Sequence, residues 1–556
     1  MRGFEVRALE IHGPMMWQLQ YVERVLDFMR EMGMNALVFH QNDLIDQLVY
    51  PQGYFSQGIM WERWPTRDAK ISNNRYYINT VIKRARQIEI DFFAEVKEIW
   101  YPEGILELVP ELRNPDGSVC ATHPFWWEFM EAKVSELLEV VPEIAGIIVS
   151  PASRESLVSI SANRCKCERC RNYNPEDWYF KLIESMYRPL SKKGKILVIR
   201  DFAYRADQQS LAVKAATRCS EEICIALKNT PHDFYPTFPD NPVIGTVGNH
   251  PQWIEFDTWG QFYGLGFFPV SVVEDMKKRM KHCWEKGARG VMFRTDWEVI
   301  NEASNFNSFT LVNLIGGAIL AKNIDEELDE IYRKWTNYGL LSPLKPTSTL
   351  QKPVVPSGVE AYKKLRDLLR LSWEIIEKGI YVRGHVFHEC CQFPDRVDTA
   401  FTMMLDFHQQ DDWNFGASKL VEPTDENIEI IFREKEKALT EVRRLRASFN
   451  VENLGLPDEF AKEIKTILEL FELYIEGFNH CTRTCFLVKK AISTRNKSNV
   501  EIARESLVQL SSYRDKLTKE LFLDLYPHYV YWLMDVKRIE SLISDAEAIL
   551  KSIESL

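Results

Sequence analysis

The feature that most constrains the fold is a regular alternation. From Phe4 to about Asn323, eight short β-rich runs alternate with stretches whose apolar residues recur at helical spacing. The runs are Glu5–Ile11, Ala36–His40, Asp91–Val96, Gly146–Ser150, Ile196–Arg200, Ile223–Leu227, Trp253–Phe256 and Gly290–Arg294. Trp17–Met32 and Glu128–Val140 exemplify the helical stretches between them. Strands covered on both faces read as near-continuous apolar runs, as these do. Eight β/α units in series predict an α/β fold, a (β/α)8 TIM barrel of parallel strands with helices outside. A doubly wound open sheet is the alternative.

The pattern changes after residue 341. A connector over 342–357 carries Pro343, Pro346, Pro353 and Pro356 and reads as a boundary. Beyond it the periodicity is helical, through Gly358–Lys378, Asn427–Ala447, Pro457–Leu487 and Tyr529–Ser555. The expected organisation is a barrel over 1–341 and an all-α domain over 358–556. One stretch, Tyr381–Gly416, is poorly periodic and rich in aromatic, His and acidic residues, a composition suited to reaching the barrel mouth.

The net charge of -11 argues against a nucleic-acid partner, which would need a basic face. No window approaches the roughly 18–20 apolar residues of a membrane span, and no partner membrane is expected. The start, Met1 to Gly13, lacks the basic head and apolar core of a signal peptide. Eleven cysteines, an odd number scattered along a long chain, do not read as a disulfide framework. The expected compartment is a reducing cytoplasm.

In such a barrel, chemistry belongs at the C-terminal ends of the strands. Polar residues cluster there. The second run ends His40-Gln41-Asn42-Asp43, and the third ends near Glu95, Lys97 and Glu98, with Trp100 and Tyr101 following. The fourth leads into Arg154-Glu155, and the fifth ends Arg200-Asp201-Phe202-Ala203-Tyr204. The sixth leads through Lys228 and Asn229 to His232-Asp233-Phe234-Tyr235. The seventh carries Glu255, Asp257 and Trp259, then Gln261 and Tyr263, and the eighth ends Arg294-Thr295-Asp296-Trp297.

Carboxylates, cations and aromatics on one rim suit a carbohydrate site. Sugar hydroxyls take bidentate polar partners, and sugar C–H faces stack on aromatic rings. Cleaving a glycosidic bond takes two carboxyl groups in different protonation states, one protonated to assist the leaving oxygen and one ionised. His40, Asn42, Tyr204, Trp259, Tyr263, Asp296 and Trp297 are candidate sugar contacts, each of which could equally finish a strand or pack in the core.

A more specific likeness runs from Ile196 to Gly264. Lys228-Asn229-Thr-Pro231-His-Asp233-Phe234, followed by Gly245, Trp253-Ile-Glu255-Phe256, Gln261, Tyr263 and Gly264, resembles the glycoside hydrolase family 67 α-glucuronidases. Val198-Ile-Arg200-Asp-Phe202-Ala-Tyr204 resembles their Val-Trp-Arg-Ala-Phe-Val-Tyr, and His123-Pro124, Trp127 and Ala145-Gly146-Ile147 follow the same order. The resemblance implies a barrel enzyme that removes a terminal uronic acid with inversion. It implies Asp233 and Glu255 as the carboxylates that activate water, and Glu155 as the general acid. Arg200 and Lys228 would hold the sugar carboxylate. It alone implies a homodimer formed through the helical domain. There are departures: Ser150 stands where that family has Lys, Thr230 where it has Gly, and alignment of Glu155 needs a one-residue insertion. The barrel begins almost at Met1, without that family's β-rich N-terminal domain.

The expected reaction needs no cofactor and no catalytic metal, only an oligosaccharide substrate. A retaining or substrate-assisted hexosaminidase-like enzyme and a non-catalytic carbohydrate-binding barrel are the alternatives. Cys165-x-Cys167-x-x-Cys170 has the crowded spacing of a structural zinc or cluster site, with Cys120 as a potential fourth thiol; buried loop thiols are the other reading. His385, His388, Glu389 and Cys390 form a second group of ligand-type residues without a recognisable motif.

Overall fold

The computed structural model describes residues 2–554 except 103, 152–154, 202–205 and 524, and only the backbone of 206–210. Eight parallel strands close into a barrel: β1 (Val6–Ile11), β2 (Ala36–His40), β3 (Asp91–Val96), β4 (Gly146–Val149), β5 (Ile196–Arg200), β6 (Cys224–Lys228), β7 (Gln252–Asp257) and β8 (Gly290–Arg294). β8 closes onto β1 with Glu10 opposite Arg294. Each strand coincides with its expected run to within one residue at either end.

Helices cover the outside, among them Leu19–Met32, Pro65–Arg86, Phe125–Val140, Pro175–Lys192, Val273–Glu285 and Leu311–Lys322. The β6–β7 crossover departs from the expected alternation, since residues 229–251 contain turns and no helix. Pro231, Pro236, Pro239 and Pro242 explain this, because each lacks an amide donor and clashes with a preceding helical turn. The crossover is anchored instead by Phe234, Tyr235 and Phe238, all buried.

Side chains alternate across each strand, so every second residue faces the barrel interior. The lower interior is an apolar plug of Ala8, Ala36, Val38, Phe93, Ile148, Val198, Cys224, Ala226, Trp253 and Met292. Phe93 and Trp253 meet edge to face at its centre, 5.4 Å apart. Gly146 and Gly290 make room for these rings; an added Cβ would sit 2.9 Å from Phe93 and 2.6 Å from Trp253.

The C-terminal half is helical, with long helices at Ala361–Ile380, Asp425–Ser448, Asp458–Thr494, Lys497–Leu521 and Val536–Glu554. It packs onto the barrel through aromatic contacts, Phe268 lying 4.7 Å from Phe471 and 4.8 Å from Tyr474. The proline-bearing connector is tied down rather than loose. Leu340 and Val354 form an antiparallel bridge, Thr347 donates to the Glu302 carbonyl, and Tyr529 donates to that of Pro343. Among the described residues, no helix is long and apolar enough to cross a membrane. The cysteines are all unpaired thiols.

Candidate active site

One step above the apolar plug, the same alternation brings a polar residue inward from every strand. These are Glu10, His40, Glu95, Ser150, Arg200, Lys228, Glu255 and Arg294, and all are buried. The layer pairs three carboxyls with three cations. Burying ions costs several kcal/mol each unless they are paired and hydrogen-bonded, so the pairing is what lets this layer exist.

Arg200 is the hub. Its guanidinium donates to both oxygens of Glu255 at 2.6 Å, and to Ser150 Oγ at 3.2 Å, with Glu95 also 3.2 Å away. Ser150 in turn donates to Glu95 at 2.8 Å. His40 Nδ1 lies 2.7 Å from Glu10 and 3.4 Å from Glu95. The rings of His12 and His40 stack at 3.7 Å. Burial, reinforced by Glu95 and Glu255, pushes the Glu10 carboxyl well above the usual carboxylate range. Burial acts on Glu255 in the same direction, but Arg200 overrides it and holds Glu255 below that range. Burial and nearby cations hold both His12 and His40 well below the ordinary imidazole value, hence neutral.

Above this layer opens a cavity of about 330 Å3. Its wall includes the carboxyls Glu155, Asp233, Glu298 and Glu389, and the cations Lys97, Arg200 and Arg294. His12, His40, Gln261, Trp297 and Trp532 complete much of it. The segment over 381–416 does reach the mouth, where His388, Glu389, Cys390 and Gln392 line the cavity. Trp297 from the barrel meets Trp532 from the helical half at 5.6 Å.

Two of the carboxyls are driven in opposite directions. Asp233 is partly buried, which would raise its pKa, yet the Lys228 ammonium bonded to it holds it far below the usual range. Burial raises Glu389, and the charge of Asp233 adds to the effect. The backbone marks the same place. Asp233 and Cys390 both adopt left-handed conformations, φ 48° and 50°, which non-glycine residues rarely hold without compensation. Thr230 Oγ1 donates to the Asp233 carbonyl and helps fix that turn.

No family model and no curated protein matches the sequence. Among solved structures, a GH138 enzyme targeting pectin rhamnogalacturonan II is similar, with a TM-score of 0.61 and 11% identity, covering 100% of this chain and 68% of that one. A β-N-acetylhexosaminidase from Bacteroides fragilis superposes less closely, with a TM-score of 0.41 and 14% identity over 60% of this chain and 70% of that one. The Thermobaculum terrenum O-GlcNAc hydrolase gives 0.41 and 12% identity over 99% of this chain and 96% of that one. At these identities the likeness is one of fold. The barrel with its helical half is a fold this chain shares with that GH138 enzyme.

The residues expected from sequence fall into three groups. Glu155, Asp233, Arg200, His40 and Trp297 line the cavity together. Lys228 and Glu255 sit directly behind it, Lys228 on Asp233 and Glu255 on Arg200. The others lie off the cavity wall. Trp259 and Tyr263 are core aromatics, Tyr263 donating to the Asp257 carbonyl at 3.2 Å. Asp296 is buried and accepts from the His12 and Gly13 amides, so it shapes the end of β1. Asn42 offers its carbonyl to the Lys97 amide. Tyr204 lies outside the described residues.

Sequence reasoning did not single out Glu10, His12, Glu298, Gln392 or Trp532. Glu10 and His12 were detectable in principle, being in phase with inward-facing Ala8. Trp532 and Gln392 arrive from the helical half by tertiary packing, and nothing local marks them. Two groups of residues have the makings of a metal site among those described: Glu10, His12 and His40, and the four cysteines 120, 165, 167 and 170. The first is a poor cation site, because Arg294 lies 3.0 Å from His12 Nδ1 and Glu10 already engages His40.

Proposed function

We propose that this chain is a glycoside hydrolase removing a terminal uronic acid or related acidic sugar from an oligosaccharide, by acid/base hydrolysis with inversion. The observation that carries this reading is the Asp233–Glu389 pair. Two carboxyls on one cavity wall whose surroundings push their protonation apart are the arrangement that supplies an acid and a base at one pH.

Asp233, kept ionised by Lys228, is the group that draws a proton from the attacking water. Glu389, which burial keeps protonated to higher pH, is the donor to the leaving oxygen. This assigns to Glu389 a role the sequence resemblance implied for Glu155, whose carboxylate is ion-paired with Lys97 at 3.1 Å. Glu255 acts through Arg200, as a positioning residue. Lys97, Arg200 and Arg294 give the wall three cations for an acidic sugar, and Trp297 and Trp532 offer flat apolar faces. A volume near the lower end of ligand pockets, about 300–1,000 Å3, suits one terminal sugar better than a cleft for a long chain. The family 67 motifs between Ile196 and Gly264 support the uronide and the inverting outcome.

A panel of aryl glycosides and oligosaccharides, uronides included, tests the reading. Wild type should hydrolyse a uronide, and Glu389→Gln should lose natural linkages while keeping activated aryl glycosides, whose leaving group needs no proton. If Glu155→Gln shows that pattern and Glu389→Gln does not, the acid is Glu155 and this assignment is wrong.

A further inference from the structure

Cys120, Cys165, Cys167 and Cys170 form a cluster that the proposed hydrolysis does not use. Cys120 comes from the loop after β3, and the other three from the loop after β4 that carries Glu155. We propose that these four thiols bind one structural zinc ion, which clamps the two loops together.

The geometry suits a single tetrahedral ion. The four sulfurs all lie within 4.8 Å of one another, and Cys120 Sγ stands 3.7 Å from Cys167 and 3.6 Å from Cys170. Zinc–sulfur bonds of about 2.3 Å in a tetrahedron put the sulfurs about 3.8 Å apart. A disulfide would need about 2.05 Å.

Donors already point at the sulfurs. The amides of Cys167 and Cys170 donate to Cys165 and Cys167 at 3.5 and 3.4 Å, and Asn114 donates to Cys165 at 3.0 Å. Such bonds stabilise thiolates around a metal. A zinc ion with four thiolates carries two net negative charges, and Arg164, Lys166, Arg169 and Arg171 interleave with the ligands along the chain.

A plain packing role fits less well. The four thiols form a cluster containing no other apolar side chain. Between the same two loops lies a cavity of about 610 Å3, lined by Gly117, Val119, Leu157 and Val158 among others. On binding, four S–H bonds give way to four Zn–S bonds, and the protons pass to solvent. With all four positions filled by thiolates the ion holds no water or substrate, so its work is structural. That work bears on the mouth, because Ile99 and Val158 bridge the loops and Lys97 pairs with Glu155.

The test uses the full chain, purified under reducing conditions from zinc-supplemented cells, and needs no sugar substrate. Elemental analysis should find one zinc per chain, falling to none in Cys120→Ser and in Cys167→Ser, the most exposed ligand. Those variants could misfold, so wild type provides a second readout. Alkylation mapped by mass spectrometry should find these four cysteines protected until a chelator strips the zinc, and protected again when zinc returns. Replacing zinc with cobalt should give the visible absorption of a tetrahedral cobalt thiolate. Metal-free protein with four reactive thiols, iron in place of zinc, or zinc retained by a Cys120→Ser, Cys170→Ser double variant would each overturn the proposal.

Discussion

The two inner layers of the barrel are built by the same eight strands, two residues apart, and share almost no chemistry. The lower one holds Ala8, Val38, Phe93, Ile148, Val198, Ala226, Trp253 and Met292. Continuing each of those strands by two residues gives Glu10, His40, Glu95, Ser150, Arg200, Lys228, Glu255 and Arg294. The lower layer stabilises by dispersion and the removal of apolar surface from water, and it tolerates swaps that conserve volume. The upper layer holds charges that stay buried only as a connected set. The closed sheet thus serves as a rigid socket. Its floor supplies stability, and its rim supplies fixed charges that need no reorganisation when a substrate arrives.

Breaking the contrast from either side should give opposite phenotypes. Asp233→Ala, just above the rim, should lower kcat of the folded fraction by about 100- to 10,000-fold, the range for loss of a general base, besides the stability it costs by taking the carboxylate partner from buried Lys228. Trp253→Ala in the floor should cost about 3–5 kcal/mol of stability while the folded fraction turns over normally. Equal effects of the two changes on both readouts would mean that the layers are not functionally distinct.

Glu255→Ala sits between these cases. It takes from Arg200 the carboxylate bonded at both Nε and Nη2, leaving Glu95 and Ser150, and removing one partner of a buried ion pair costs about 3–5 kcal/mol. Activity should fall with it. Pairing Arg200→Met with Glu255→Leu should recover much of the lost stability in a denaturant titration, but none of the activity. Recovery of both would show that the ion pair is only a filler.

The pH profile sharpens the contrast within the rim. The acid must be protonated to act, and burial raises Glu389, so kcat/KM should hold on the acidic side and fall as pH rises through the elevated Glu389 pKa. Asp233, held far below the usual range by Lys228, should leave no limb of its own near neutrality. Glu389→Gln should erase the alkaline limb; its persistence would assign the limb elsewhere. The smallest effect is expected from Met292→Leu in the floor, under about 1.5 kcal/mol and with kcat unchanged.

The barrel was legible because a strand covered on both faces must be apolar nearly throughout, and Ile147 to Val149 or Leu197 to Ile199 leave little other reading. The helix-free crossover between β6 and β7 was not expected from the alternation, and Pro231, Pro236, Pro239 and Pro242 are its cause. The site was legible only in part. Asp233 and Arg200 announce themselves as charges at strand ends, but nothing in Glu255 tells that both its oxygens are taken by Arg200. Trp259 and Tyr263 look from sequence like sugar platforms, since a rim aromatic and a core aromatic are the same residue type. Glu389 lies far along the chain from the last barrel strand, which ends at Arg294, and only the packing of the helical half brings it to the mouth. Cys120 likewise joins Cys165, Cys167 and Cys170 through the pairing of two loops rather than through any spacing a sequence motif would record.

The central claim is that the polar rim is a hydrolytic site built around Asp233. It is tested most directly by following a uronide-capped oligosaccharide by proton NMR with wild type and with Asp233→Ala. Wild type is expected to release the uronic acid first as the anomer opposite to the cleaved bond, with no release by the variant. Release by Asp233→Ala at the wild-type rate, or first appearance of the retained anomer, would contradict it.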